Sequence, residues 1–144
     1  MRVLVQRCSH AKCVVNNKNI NEIDNGLIIL VGFTDSDNKD TILKMVNKVI
    51  NLRIFPDKDG VMNLSILDTK GSILSISQFT LYADTTKGNR PSYIKAMKGD
   101  KAKLLYEYFN KCLSEYVPCF GGAFGEDMEI SLTNMGPTTI MLER

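Results

Sequence analysis

The sequence is poor in the residues that build metal sites and catalytic triads. It has one histidine, His10, and four cysteines, and no two cysteines form a C-x-x-C pair. Zinc sites draw on paired cysteines and histidines, so we expect no metal and no other cofactor. A catalytic Cys-His pair would have to use His10, in a predicted turn beside Cys8 and Cys13. We therefore interpret all four cysteines as reduced packing thiols.

Long apolar runs are also missing. No stretch approaches the roughly 20 residues of a membrane span. The first seven residues alternate like a β-strand and lack the apolar core and cleavage site of a signal peptide. We therefore expect a cytoplasmic protein that does not bind membranes. With 44% hydrophobic and 24% charged residues, the 144-residue chain resembles ordinary globular proteins. We expect one domain over residues 1–144.

A large excess of one charge is absent as well. The net charge of +2 is milder than that of most domains that bind nucleic acid through its backbone. Cations do cluster within 17 positions, interrupted by one acid, Asp100; they are Lys87, Arg90, Lys95, Lys98, Lys101 and Lys103. Taken alone, this cluster is typical of a solvated helix face.

Hydrophobic periodicity predicts the element order β-β-β-α-β-β-α-β-β, together with a short strand at 52–55 after the first helix. We expect strands at 1–7 and 11–16 joined by a hairpin turn, a buried strand at 27–33, a helix at about 38–51, strands at 52–55, 62–67 and 71–83, a helix from Asp100, and two C-terminal strands joined by a turn at 134–138. This order predicts an α+β fold, a single domain whose curved, largely antiparallel mixed β-sheet is barrel-like, with two main helices packed outside.

Polar residues follow a buried strand at Ser77, Gln78 and Thr80. Such groups are costly there unless they meet a partner, which a ligand could supply, although they could also simply leave the core for a surface loop. Thr80 is a first candidate for a nucleophile, but a hydroxyl needs an adjacent base. Asp84 lies about 13 Å further along an extended strand, too far to deprotonate it. The sequence therefore favours a positioning site over a nucleophilic one.

Three motifs together resemble the D-aminoacyl-tRNA deacylase family. They are Ser77-Gln78-Phe79-Thr80, Lys87-Gly88-Asn89-Arg90-Pro91 and Asn134-Met135-Gly136-Pro137-Thr138-Thr139. The resemblance extends from Met1 to the C-terminus. This chain departs from the family pattern at Met135, where the family often has Asp, and at Gly121, where Thr is common.

The resemblance implies an editing hydrolase that cleaves the ester between a D-amino acid and tRNA, or glycine wrongly attached to tRNA(Ala). It also implies a homodimer in which a cis Gly136-Pro137 turn enters the partner's active site and excludes L-amino acids. Arg7, Asn134 and Thr139 would support that turn.

The catalytic hypothesis assigns roles to residues 77–80. The backbone amides of Phe79 and Thr80 would bind the oxyanion. Gln78 and the Thr80 hydroxyl would orient the substrate, and Ser77, at the end of the strand, completes this catalytic set. The tRNA 2′-hydroxyl would help to activate the attack, as the family is thought to use it.

Lys87 and Arg90 would bind tRNA phosphates, and Phe79 or Tyr82 would pack on the terminal adenosine. Two alternatives stay open: a non-catalytic nucleic-acid-binding module on the same fold, and a small thiol hydrolase.

Overall fold

The computed structural model describes residues 1–144, which form eight strands, three α-helices and one 3₁₀-helix. The elements are β1 (Arg2–Val15), β2 (Lys18–Ile23), β3 (Gly26–Gly32), α1 (Lys39–Ile50), β4 (Phe55–Pro56), β5 (Met62–Leu64), α2 (Ile66–Thr69), β6 (Ser72–Ser77), the 3₁₀-helix Phe79–Tyr82, α3 (Gly99–Ser114), β7 (Cys119–Gly121) and β8 (Glu129–Glu143). No helix is long and apolar enough to cross a bilayer.

The long strand β1 organises the main sheet. One of its edges pairs with β3 near its start and with β2 near its end, and its other edge pairs with β8, in each case antiparallel. Strands β3, β6 and β7 continue the sheet in parallel. The Asn21 side chain of β2 donates to the Gly121 carbonyl of β7 at 2.6 Å, which draws the sheet towards closure. The predicted α+β fold with a curved, barrel-like mixed sheet is confirmed.

Strand alternation divides the core between the two faces of the sheet. On β3, Leu27, Ile29 and Val31 face the two long helices, whereas Ile28 joins a smaller cluster with Leu74 of β6 on the opposite face. The helices bury stripes at three- and four-residue spacing; these are Ile42, Met45, Val46, Val49 and Ile50 in α1, and Ala102, Tyr106, Phe109, Cys112 and Leu113 in α3. The two predicted main helices are α1 and α3.

The first predicted hairpin turn, at residues 8–10, is wrong. Strand β1 runs straight through these residues, with only a register shift between Cys8 and His10. It continues because β8 pairs with both halves of β1. On the other edge, β3 pairs with the first half of β1 and β2 with the second half. Partners that are distant in sequence therefore extend a strand through a segment with a local turn signal.

Two further predicted strands are shorter than expected. Strand β5 stops at Leu64, because Ser65 and Asp68 form a reciprocal capping box that begins α2. Strand β6 stops at Ser77, and the 3₁₀-helix replaces the predicted strand up to residue 83. Helix α3 begins at Gly99 with Lys98 as its N-cap, not with Asp100.

The predicted C-terminal turn at 134–138 does not reverse the chain. Both halves of β8 pair with β1 in the same direction. The register pairs Gln6 with Thr139 and Cys8 with Asn134, so Arg7 alone lies opposite residues 135–138. These residues therefore project from the sheet as a bulge, which we call the β8 bulge.

Candidate active site

A cleft of about 680 Å³ opens at the carboxyl ends of the parallel strands β3 and β6. Open sheets commonly bind ligands beyond the carboxyl ends of such strands. The lining residues come from five segments: Val31, Gly32 and Phe33; Ile76, Ser77, Gln78 and Phe79; Tyr93, Met97, Lys98 and Gly99; Ala102; and Phe124, Gly125, Glu126, Asp127, Met128 and Ile130. Predicted site residues Ser77, Gln78 and Phe79 thus line a single cleft.

The backbone at Gln78 turns from strand into 3₁₀-helix. The Gln78 N–H still donates to the Val31 carbonyl at 2.7 Å, which continues the sheet pairing. The Gln78 carbonyl then accepts the first hydrogen bond of the turn, from the Leu81 N–H at 3.3 Å. The N–H groups of Phe79 and Thr80 precede that bond and have no acceptor within the helix. Two adjacent backbone donors are therefore left free beside the cleft.

The Thr80 hydroxyl is held by its neighbour and has no base. The Gln78 side-chain amide donates to Thr80 Oγ1 at 2.5 Å, and Thr80 is not among the residues that line the cleft. The Asp84 carboxylate accepts from the Thr86 hydroxyl at 2.7 Å and from the Thr86 backbone N–H at 3.0 Å. These hydrogen bonds, led by that from the hydroxyl, hold the pKa of Asp84 below its ordinary value. A nucleophilic Thr80 is not favoured by this arrangement.

Burial makes Cys8, Cys13 and Cys119 poor nucleophiles, because it raises the pKa of each thiol. Burial raises the pKa of Cys8 to about 11 and that of Cys119 to about 12, whereas a catalytic thiol needs a lowered pKa. The His10 ring lies 3.5 Å from a carboxylate oxygen of Glu22 and 3.8 Å from one of Asp24. The geometry therefore disfavours the thiol hydrolase.

The cleft has an aromatic edge. Phe79 is 53% exposed, and its ring meets that of Tyr93 edge to face at 5.0 Å. Tyr82 lies outside the cleft, with the Arg2 guanidinium 4.7 Å above its ring. Burial raises the pKa of Tyr82 to about 12. Of the two aromatics considered for packing on a nucleoside, only Phe79 is available in the cleft.

The β8 bulge is held by the three predicted supporting residues. Arg7 donates through Nε to the Met135 carbonyl at 3.1 Å and through Nη1 to the Ile54 carbonyl at 2.5 Å. Asn134 donates to the Thr138 carbonyl at 3.0 Å, and the Thr139 hydroxyl donates to the Pro137 carbonyl at 3.3 Å. Together they fix the backbone on both sides of the turn.

Gly136 is required by the shape of the bulge. Its φ is +122°, a conformation that L side chains rarely adopt. An added Cβ would lie 2.6 Å from Thr138 Oγ1, 2.8 Å from Arg7 Nη2 and 2.9 Å from the Thr138 backbone nitrogen. The Gly136–Pro137 peptide bond is cis. Both residues are exposed and neither lines the cleft, so one chain keeps the two predicted parts of the site apart.

Lys87 and Arg90 lie on a loop that leaves the 3₁₀-helix. Asp84 and Ser92 close this loop through two backbone hydrogen bonds of 2.8 and 2.9 Å. Both cations are exposed and form no ion pair, whereas Lys95 lies 3.5 Å from Asp84. Their side chains are free to meet a phosphate.

Sequence reasoning missed the part of the cleft wall formed by residues 124–128. Its signal was the glycine-rich segment after Pro118, where a Cβ on Gly122 would lie 2.7 Å from Met128 Sδ and 2.9 Å from Ile76 Cδ1, so these side chains would have to shift. The Gly122 N–H donates to the Ser75 carbonyl at 2.8 Å and so anchors this loop to β6. Close backbone packing, not a phosphate cradle, is what these glycines provide.

Comparisons with known proteins agree over nearly the whole chain. Residues 4–143 match the family model described as D-Tyr-tRNA(Tyr) deacylase. A solved structure described as the c-Myc DNA Unwinding Element Binding Protein is 36% identical, with a TM-score of 0.94 over 100% of this chain and 99% of that chain. A probable eukaryotic D-amino acid tRNA deacylase is 18% identical, with a TM-score of 0.83 over 98% of this chain and 97% of that chain, and shares the fold.

Proposed function

Since this chain belongs to the D-Tyr-tRNA(Tyr) deacylase family, we propose that its cleft is where the ester of a D-aminoacyl-tRNA is hydrolysed. The protein is a hydrolase that acts on D-aminoacyl-tRNA. The observation that carries the assignment of the cleft is the strand-to-helix turn at Gln78, which leaves without an acceptor the N–H of Phe79, a residue that lines the cleft, and the N–H of the next residue, Thr80. We place the protein in the cytoplasm, where charged tRNA is used.

Catalysis rests on backbone donors and not on a protein nucleophile. Water attacks the ester carbonyl, and the N–H groups of Phe79 and Thr80 stabilise the oxyanion that develops. The tetrahedral intermediate then expels the ribose oxygen, which takes up a proton. The 2′-hydroxyl of the terminal ribose assists the attack, and Gln78 and the Thr80 hydroxyl orient the substrate.

Chiral selectivity comes from the β8 bulge of a second subunit. Favourable contacts discriminate weakly between mirror-image groups, so an obstacle where an L side chain would project is the effective device. Gly136 and Pro137 lie outside the cleft of their own chain and face solvent. In a homodimer they reach the partner's cleft. Glycine has no side chain to reject, so glycyl-tRNA(Ala) is also a substrate.

The tRNA is held by its phosphates and its last base. Lys87 and Arg90 bind phosphates near the acceptor end, which positions the RNA without reading its sequence. The exposed ring of Phe79, braced by Tyr93, packs on the terminal adenosine. No metal or cofactor takes part.

A second candidate function is nucleic-acid binding without catalysis. It is favoured by the 36% identical protein described as a DNA unwinding element binding protein. The same loop cations would then contact DNA, but the cleft and the β8 bulge would have no role. The deacylase is the better-supported function because it uses all three motifs.

One assay separates the two functions. Purified protein is incubated with D-tyrosyl-tRNA, with L-tyrosyl-tRNA as control and a D-tyrosyl-tRNA ending in 2′-deoxyadenosine as a test of mechanism. We expect rapid release of D-tyrosine, little release of L-tyrosine and slow release from the deoxy substrate. Equal hydrolysis of the D and L forms would refute the selectivity proposal, and no hydrolysis with tight DNA binding would favour the second function.

A further inference from the structure

Tyr106 connects three elements behind the cleft. It is only 3% exposed and lies one helical turn after Ala102, which lines the cleft. Its hydroxyl donates to the Ser75 carbonyl of β6 at 2.6 Å and accepts from the Gly122 N–H at 3.2 Å. One buried oxygen thus joins α3 to β6 and to the loop that follows β7.

The ring of Tyr106 contacts the same loop further along. Its centroid lies 5.8 Å from that of Phe124, with the two planes inclined at 41°. Phe124 begins the wall formed by residues 124–128. Both the polar and the apolar part of Tyr106 therefore hold the loop that carries this wall.

Neighbouring polar groups do not duplicate this connection. Ser75 Oγ and Asn110 Oδ1 are buried and form no hydrogen bond with the protein. Burial raises the pKa of Tyr106, so its hydroxyl stays protonated and remains a donor throughout the neutral range. Without this hydroxyl, the Gly122–Ser75 backbone hydrogen bond would be the remaining polar tie between β6 and the loop.

We propose that Tyr106 is a positioning residue that sets the distance between two parts of the cleft lining, Ser77 and Gln78 at the end of β6 and Phe124 in the loop after β7. This inference rests on the proposed function, because it takes the cleft as the substrate site. The proposed mechanism assigns no group of residues 124–128 to the chemical step, so their placement should affect the binding of the ground state and the transition state alike. Such an effect appears in KM and leaves kcat unchanged.

The test is the steady-state kinetics of Tyr106→Phe on D-tyrosyl-tRNA. Removal of one hydrogen-bonding hydroxyl should raise KM about five- to tenfold and leave kcat within about twofold. Tyr108→Phe removes a hydroxyl from the same helix outside the cleft and should leave both constants unchanged. Ser75→Ala removes an unbonded hydroxyl beside Tyr106 and should also leave KM unchanged.

A double-mutant cycle shows whether Tyr106 acts through the loop. If it does, the effects of Tyr106→Phe and Phe124→Leu on KM should be clearly less than additive. A lower melting temperature with unchanged KM, or strictly additive effects, would overturn the inference. A third variant, Gln78→Ala, separates failure of this inference from failure of the proposed function. If Gln78→Ala keeps full kcat/KM, the assignment of the cleft fails. If Gln78→Ala loses activity and Tyr106→Phe does not, only the inference about Tyr106 fails.

Discussion

The two regions that carry the proposed chemistry differ in how the fold supports them. Residues 77–80 extend a buried strand that lies between β3 and β7 and opens onto a cleft. The β8 bulge projects from an outer strand, exposed and held mainly by the side chains of Arg7, Asn134 and Thr139. The first region is a recess and the second a projection.

Both regions nevertheless offer backbone groups that the sheet does not use. At Gln78 the strand gives way to a 3₁₀-helix before the next two N–H groups find acceptors. At the β8 bulge, four residues face one residue of β1, so their backbone cannot complete the ladder. Backbone groups that the sheet does not use need other partners: side chains bond three carbonyls of the bulge, whereas the two N–H groups after Gln78 are left for a ligand. Side chains in both regions serve chiefly to hold the backbone in place.

The largest expected effect is on the projection. Gly136→Ala forces a Cβ against the Thr138 backbone nitrogen and the Arg7 guanidinium, and strain of this kind costs about 1–3 kcal/mol. If the bulge shifts to relieve this strain, deacylation of D-tyrosyl-tRNA should fall about five- to hundredfold in kcat/KM, since each 1.4 kcal/mol is a factor of ten. Met135→Ala, at the exposed neighbouring position, is the control and should retain activity. Equal activity of the two variants would show that the bulge is not part of the active site.

A smaller effect is expected where the recess meets the RNA. The double variant Lys87→Glu/Arg90→Glu should raise KM several-fold at low salt and leave kcat unchanged, because the proposed function assigns these cations to phosphates and not to the ester. The dependence of log KM on log salt should become shallower by about 0.7 for each phosphate that the variant no longer neutralises. Lys18→Glu, an exposed lysine on β2, is the matched charge control. An unchanged salt dependence would show that RNA approaches the cleft from another side.

Thr80→Ala should have a modest effect. Its hydroxyl is held by Gln78 and touches no base, while the two backbone donors survive the substitution. We expect kcat to fall less than about tenfold, far below the decrease expected for a nucleophile. A decrease of several orders of magnitude in the single-turnover rate constant would support Thr80 as the nucleophile.

The smallest expected effect is on Cys8, a buried thiol next to the β8 bulge. Cys8 pairs with Asn134 next to the bulge, and its pKa is raised to about 11, so about one thiol in a thousand is ionised at pH 8. Iodoacetamide should modify Cys8 of the native protein very slowly and leave activity intact, as peptide mass spectrometry and the deacylation assay can show. Because the pKa of Cys8 lies above its ordinary value of 9.0, the unfolded chain ionises first as the pH rises. The contribution of Cys8 to the free energy of unfolding is therefore present below about pH 9 and is lost as the pH rises through about 11. Rapid alkylation of Cys8 at pH 8 would mean that the sheet opens next to the bulge.

The sequence alone was sufficient for the elements with strong local signals. Helix α1 was predicted at about 38–51 and spans Lys39–Ile50, because Asn38 caps it and its apolar stripe repeats at helical spacing. The buried strand β3 and the α+β class followed from similar patterns. Three short motifs were also enough to indicate the family, since each is a contiguous stretch of residues.

Tertiary structure decided what depends on partners distant along the chain. Strand β1 continues through its predicted turn because β8 pairs with it on both sides of Cys8. The cleft acquires its second wall because α3 holds the loop after β7 against β6, through Tyr106 and Gly122. Only the sheet register shows that Gly136 and Pro137 stand apart from Ser77. Periodicity reports which face of an element is buried, but the hydrogen-bonding partners that end a strand, extend it or make it bulge are set by the assembled sheet.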